Sequence, residues 1–385
     1  MDLDADYPEI REAIARICAE FPSPYWRELD AEGAYPTAFV QALSKSGYLA
    51  ALVPEEHGGA GLPLRAAAVI LETIHGTGAS AAACHAQMYT MGTLLRHGSA
   101  EQKARYLPEI AAGSLRLQAF GVTEPTSGSD TPMLQTRAER RGDKWIVNGQ
   151  KIWTSRALHS DLMLLLVRTT PLEQCQKRSQ GLSVLLVDLR EARGQGLDIR
   201  PIDTMINHNT TEVFISDLEV PAANLIGVEG QGFRYILDGM NAERILLSGE
   251  AIGDGRWFLE RATAYAGERR VFGRPIGQNQ GVQFPLARAH AQLEAAELMA
   301  RKAAALFDAG LPCGPEANMA KLLTSEAAWA AGEACFSTFG GFAFAREYDI
   351  ERKWRECRLF QTAPISTNMI LAFIAQNVLG LPRSY

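Results

Sequence analysis

The chain has 385 residues and a formal net charge of −6, from 38 Lys and Arg against 44 Asp and Glu. That length holds two or three domains with a sizeable core. The acidic balance, with no block of like charge, argues against nucleic acid as a partner, and no apolar run is long enough to insert in a membrane.

The six cysteines (18, 84, 175, 313, 335 and 357) show no CxxC or zinc spacing and read as reduced thiols of a cytoplasmic protein. Residues 1–6 are acidic and offer neither the apolar centre of a secretory signal nor an Arg-rich transit pattern.

Residues 1–116 form a first, all-helical domain. Ala, Leu, Ile and Glu dominate, with breaks at Pro22, Ser23 and Pro24 and again over 54–63. The stretches 64–77 and 80–97 are Ala-rich with few charges, as expected of helices buried on most sides. Ser80 is the expected N-cap of the second.

Residues 117–226 change texture and form a compact, barrel-like β domain. A strand-like run over 115–120 leads into Phe120-Gly121-Val122-Thr123-Glu124-Pro125-Thr126-Ser127-Gly128-Ser129-Asp130. Backbone N–H groups and hydroxyls crowd this loop, which suits an acceptor-rich ligand. Asn148-Gly149, between the apolar pieces 145–147 and 151–153, predicts a hairpin with a type I′ turn. Short apolar runs at 162–167 and 182–186, and alternation at 212–216, supply further strands.

Residues 227–385 turn helical again. Leu286, Ala289, Leu293, Ala296, Ala300, Ala303 and Phe307 fall on one stripe, Gly310 and Pro312 end that helix, and Pro315 opens the next. Several such helices make a four-helix bundle. The fold class is therefore α+β, in the order α, β, α.

The loop 120–130 closely resembles the flavin-binding signature of acyl-CoA dehydrogenases, and Lys151-Ile152-Trp153-Thr154-Ser155 resembles the strand that follows it in that family. The resemblance covers nearly the whole chain and implies FAD as cofactor and an acyl-CoA as substrate. It assigns Phe120, Val122, Thr123, Gly128 and Ser129 to the isoalloxazine or its phosphates, and Trp153 and Ser155 to the cover of the ring. Ser129 is also a substrate contact by this correspondence. Hydroxyl and amide donors there would stabilise negative charge on the reduced ring. The helices over 64–97 would then supply one wall of an acyl pocket.

Arg269, Phe272 and Gln280 match R-x-x-F-G-x-x-[IL]-x-x-x-Q, which the family uses across a subunit interface, so the resemblance implies a homo-oligomer, usually a homotetramer. Gly340 and Gly341, with Arg355-Glu356, resemble the second signature in part. Ser337 stands where the family usually has Gln, and Ala343 where it usually has Gly. Ser366 and Asn368 match flavin-contacting positions beyond it.

Removing a thioester α proton needs one poised carboxylate. Many family members place that Glu shortly before the final helix, where this chain has Pro364. The isovaleryl and long-chain class carries it on an earlier helix, as the Glu of a Glu-Arg pair. Glu243 and Arg244 match that pair, which makes Glu243 the expected base and Arg244 its neighbour or a holder of the CoA portion. A proline at 364 also lacks the backbone N–H that the family offers to the thioester carbonyl.

The resemblance implies electron transfer to an electron-transfer flavoprotein. It leaves open an enoyl-CoA reductase, a flavin monooxygenase or a non-catalytic acyl-CoA-binding descendant. The seven histidines form no metal spacing, and His208 lies on a loop where the family approaches the substrate.

Overall fold

The computed structural model describes residues 6–383. Helices α1 (Pro8–Ala19), α2 (Ser23–Glu32), α3 (Thr37–Lys45), α4 (Leu64–Gly76), α5 (Ala82–His97) and α6 (Ala100–Ala111) come first. Strands β1 (Leu117–Gly121), β2 (Arg137–Arg141), β3 (Lys144–Lys151), β4 (Leu162–Arg168) and β5 (Leu182–Asp188) follow. A short α7 (Leu189–Ala192) precedes β6 (Leu197–Pro201), β7 (Thr211–Pro221) and β8 (Leu225–Ile226). The long α8 (Gly232–Glu268) leads to the small strands β9 (Arg270–Val271) and β10 (Arg274–Pro275). Helices α9 (Gln280–Asp308), α10 (Gly314–Phe339), α11 (Ile350–Leu359) and α12 (Thr367–Phe373) complete the chain. The expected order of helices, strands and helices is what the fold has.

Two compact units emerge. The first takes Met1–Glu32, Pro63–Ala81 and Asn241–Tyr385, and the second takes Gly33–Leu62 and Ala82–Met240.

In the second unit one eight-stranded sheet runs β6-β7-β3-β2-β4-β5-β8, with β1 parallel on β4. β4 explains why its sequence reads as an unbroken apolar run. Leu162, Leu164 and Leu166 enter one core together with residues of α5 and α6, while Met163, Leu165 and Val167 enter another shared with β3 and β7. Both faces of that strand are covered, so alternation has no solvent side to report. Each fully buried Leu contributes roughly 1.5–3 kcal/mol.

The turn predicted at Asn148-Gly149 lies elsewhere. β2 and β3 form the hairpin, pairing Arg141 with Lys144 around Gly142, whose φ is +63°. Asn148 and Gly149 stand inside β3, where its register against β7 shifts. Gly149 has φ +155°, and Thr136 Cα lies 2.6 Å from where a Cβ would be. The glycine serves a bulge and a close backbone approach, and a local turn signal gives way to the sheet.

In the first unit α9 buries Ala289, Leu293, Ala296, Ala300 and Ala303 of the predicted stripe, with Leu286 and Phe307 half-buried at its ends. It packs on an alanine-rich α10 that begins with Pro315 in its first turn. Ser80 does not cap α5, which begins at Ala82. The Ala81 N–H donates instead to His75 Nε2 at 3.1 Å.

That histidine belongs to a buried charge cluster. His75 Nδ1 is 2.7 Å from Asp254 Oδ1, and Lys353 Nζ is 2.5 Å from the same oxygen and 3.1 Å from Glu356. Burial alone would raise the Asp254 carboxyl, but Lys353 and His75 outweigh it and hold it below its usual 3.8. A depressed carboxylate contributes stability above its unfolded value and loses it as pH falls through the folded one. The melting temperature is therefore expected to drop below about pH 4. Asp254→Asn should flatten that acid limb in circular-dichroism melts; an unaltered slope would remove Asp254 from the account.

Among the described residues all six cysteines are free, no group of His, Cys, Asp and Glu is arranged to hold a metal, and no helix is long and apolar enough to cross a membrane.

Candidate active site

In the second unit β1 delivers the chain through Phe120 and Gly121 into the Thr/Ser/Gly loop. A buried ion pair holds that loop from behind. Glu124 accepts from the Gln135 N–H at 2.6 Å, the Thr136 N–H at 2.9 Å and Lys151 Nζ at 2.8 Å. Lys151 also donates to the Val122 carbonyl at 3.1 Å. Burial would raise Glu124, but Lys151 and the two N–H donors hold it below its ordinary value. Burial pulls the Lys151 ammonium down to about 8 against the attraction of Glu124. Within the loop, Ser127 Oγ donates to the Asp130 carbonyl and Thr131 Oγ1 to the Gly128 carbonyl, each at 2.8 Å.

The Ile152 N–H donates to the Thr123 carbonyl at 2.9 Å, which sets the segment after β3 beside the loop. Phe120, Val122, Thr123, Trp153 and Ser155 thus come from two adjoining backbone segments. Phe120, Val122, Thr123 and Ser155 are half-buried, whereas Gly128 and Ser129 are exposed. Trp153 is 56% exposed and its φ is +59°. A tryptophan held in the left-handed region with its indole in solvent forgoes both packing and backbone ease. Thr154 and Thr211 exchange backbone hydrogen bonds at 3.0 and 3.1 Å and anchor the next residue.

The remaining predicted residues lie in the first unit. Glu243 is half-buried on α8, between buried Ala242 and Arg244. Burial lowers the Arg244 pKa while the Glu243 charge acts the other way. Arg244 donates to Asn241 Oδ1 at 3.0 Å, and its buried Nε has no hydrogen-bond partner among the described residues. Lys321 of α10 is fully buried and donates to the Ile365 carbonyl at 2.8 Å. Burial, with Arg244 adding to it, brings its pKa down to about 8.

Pro364 follows a cis peptide bond in the turn before α12. Ser366 is the N-cap of α12, its Oγ accepting from the Met369 N–H at 3.4 Å, and Asn368 is exposed. Gly340 ends α10 with φ +59°, and Gly341 is exposed beside it.

β9 and β10 make a hairpin whose tip is Phe272 and Gly273, with φ of +52° and +79°. Such a turn asks for Gly or Asn at both places, yet this one carries a phenylalanine that is 100% exposed. Arg269 lies over the Phe342 ring at 5.7 Å, and Gln280 is exposed at the start of α9.

Sequence reasoning named Lys151 and Glu124 only as letters of a motif and passed over Arg156. The two charges stand in the sequence, but nothing in their spacing pairs Lys151 with Glu124. Arg156 was signalled by a long cationic side chain directly after Ser155.

The loop and strand present donors and an aromatic face of the kind a flavin dinucleotide would use. Among the described residues the N–H groups of Val122, Thr123 and Ser129 make no hydrogen bond within the chain, so they remain donors for an acceptor-rich ligand. Trp153 offers an exposed aromatic face in the same unit.

Comparison with known proteins bears on the whole length. Residues 4–114, 119–218 and 230–379 match the models of the acyl-CoA dehydrogenase N-terminal, middle and C-terminal domains. The acyl-CoA dehydrogenase FadE12 of Mycobacterium tuberculosis is 33% identical over 379 residues, covering 98% of this chain and 96% of the relative. A glutaryl-coenzyme A dehydrogenase solved with glutaryl-CoA superposes with a TM-score of 0.91 at 27% identity, covering 100% of this chain and 98% of that one. The FAD complex of PigA does so with a TM-score of 0.90 at 26% identity, covering 99% of each.

Proposed function

The chain belongs to the acyl-CoA dehydrogenase family, oxidoreductases acting on a CH–CH group, and we propose that it dehydrogenates an acyl-CoA thioester between its α and β carbons. The observation that carries this reading is the pinned loop and strand of the second unit, with Phe120, Val122, Thr123, Gly128, Ser129, Trp153 and Ser155 as the flavin residues. When bound, FAD supplies the hydride acceptor for the substrate's β carbon.

Glu243 is the base. Its task is to take the α proton, and its charge acts on the buried Arg244 beside it, against the burial that lowers the Arg244 pKa. Arg244 also offers donors to the CoA portion. Ser129 lies exposed on the loop for the same ligand.

Arg269, Phe272 and Gln280 serve a second copy of the chain. A fully exposed aromatic on a strained hairpin tip gains from a surface that covers it, and the family resemblance supplies a homotetramer as that setting. Gly340, Gly341, Ser366 and Asn368 complete the cofactor set by the same correspondence. Electrons would leave to an electron-transfer flavoprotein.

Anaerobic addition of straight-chain, branched and dicarboxylic acyl-CoA esters to the FAD-loaded protein tests the reading. At least one ester should bleach the flavin band near-stoichiometrically within seconds. Pro364, which cannot donate an N–H, favours a second reading as a non-catalytic acyl-CoA binder. Esters that perturb the band without ever bleaching it would establish that reading and sink the first.

A further inference from the structure

The second unit carries two clusters of aromatic and polar side chains, one on α5 and one beside Ser155, that proton and hydride removal leave unused. The first starts at Phe120, whose ring faces Tyr89 of α5 with centroids 6.5 Å apart. Tyr89 meets His85, one helical turn earlier, edge to face at 5.4 Å. The second cluster is built on His208. The Arg156 guanidinium lies 3.0 Å from His208 Nε2 and 3.2 Å from Nδ1. Arg156 directly follows Ser155, whose Oγ is 3.4 Å from Thr210 Oγ1. Phe120 and Ser155, one in each cluster, are both flavin residues on the reading above, so the two clusters border the ground on which the acyl group stands.

A plain alkyl chain calls for an apolar wall. This wall places a guanidinium and an imidazole in the interior, with Arg156 5% and His85 8% exposed. Buried groups of that kind persist where hydrogen bonds satisfy them.

The construction is also strained and firmly tied. Arg156 has φ +63° and Asn209 φ +46°, the left-handed region for residues that carry side chains. The Arg156 N–H donates to the Asn209 carbonyl at 2.7 Å. The Asn207 and Asn209 amides donate to the Ala34 and Gly33 carbonyls at 2.8 Å each. A loop fixed at so many points presents His208 in one orientation, which is what discrimination between ligands requires. Desolvation first, and Arg156 second, hold the His208 ring well below its usual pKa, so the imidazole is neutral and accepts from the guanidinium.

We propose that Arg156 and His208 form a specificity subsite for acyl thioesters whose chain carries an oxygen acceptor beyond the β carbon, a terminal carboxylate or a hydroxyl. The proposal rests on the dehydrogenase reading for its placement beside the flavin.

The test compares three esters of equal chain length, glutaryl-CoA, 5-hydroxypentanoyl-CoA and pentanoyl-CoA, on the FAD-loaded protein without oxygen. Perturbation of the flavin band gives each dissociation constant, and bleaching is followed separately. At least one oxygenated ester should bind about tenfold or more tighter than pentanoyl-CoA, a gap of roughly one buried hydrogen bond. Arg156→Met should remove that preference while leaving pentanoyl-CoA binding within about threefold. A preference for the glutaryl ester assigns the carboxylate, and one for the hydroxy ester assigns the hydroxyl. His208→Leu should act in the same direction and keeps the test decisive if Arg156→Met fails to take up FAD.

Equal or tighter binding of pentanoyl-CoA by the wild-type protein, or a preference that neither variant moves, overturns the subsite. Discrimination in binding without any bleaching would sink the dehydrogenase reading and leave the subsite standing. Bleaching without discrimination would do the reverse.

Discussion

Glu243→Gln is expected to leave a yellow, FAD-loaded protein whose flavin is bleached by acyl-CoA about 10²–10⁴-fold more slowly than wild type. The substitution keeps the shape of the side chain and removes the one property that proton abstraction needs. Glu243 is half-buried on a long helix, so the fold loses little. Arg244 loses the charge that offsets its burial, but retains its hydrogen bond to Asn241. Dissociation constants for acyl-CoA, read from the flavin band, should therefore change far less than the bleaching rate. That separation of rate from binding is the signature of a group acting in the transition state. Unchanged bleaching by Glu243→Gln would return the base to another carboxylate. Pro364, at the position the wider family uses, cannot be that group.

Elements fixed by local pattern were readable in advance. The α9 stripe follows from helical periodicity, and the unbroken apolar β4 follows from a strand covered on both faces. Asn148-Gly149 misled because a two-residue turn preference is weak beside a ladder of sheet hydrogen bonds, and the tight turn sits instead at Gly142. Ser366 shows the same limit at a site. Its hydroxyl caps α12, a task visible only once the helix start is known.

The interleaving of the two units had no signal at all, since segments such as Gly33–Leu62 and Pro63–Ala81 carry the same helical texture yet join different units. Partnerships across long separations were equally silent. Lys151 reaches back to Glu124 and Arg156 forward to His208, and neither pairing follows from spacing. What the motif did carry was the backbone placement of the loop, because its Thr, Ser and Gly residues act where they stand.

Lys151→Met should destabilise the protein by about 3–5 kcal/mol, since it leaves the Glu124 charge buried without its cation. Met is unbranched and fills much the same volume, so the loss reports the charge and the hydrogen bonds to Glu124 and the Val122 carbonyl. The Val122 contact makes the consequence functional. Freed from Lys151, the loop no longer holds its N–H donors in register with the strand after β3, and the purified variant should carry much less FAD than wild type.

Glu124→Gln should be milder, because the amide oxygen still accepts one of the two backbone N–H bonds and the charge left behind belongs to a lysine already drawn down to about 8. The double variant should melt above the sum of the two single losses by about 1–3 kcal/mol, as for residues in direct contact. FAD titration of each apoprotein, followed by flavin fluorescence, separates stability from cofactor grip. A Lys151→Met protein that melts like wild type and binds FAD as tightly would show that the loop stands without its ionic support, held by the Ile152–Thr123 bond and the Gln135 and Thr136 N–H bonds to Glu124.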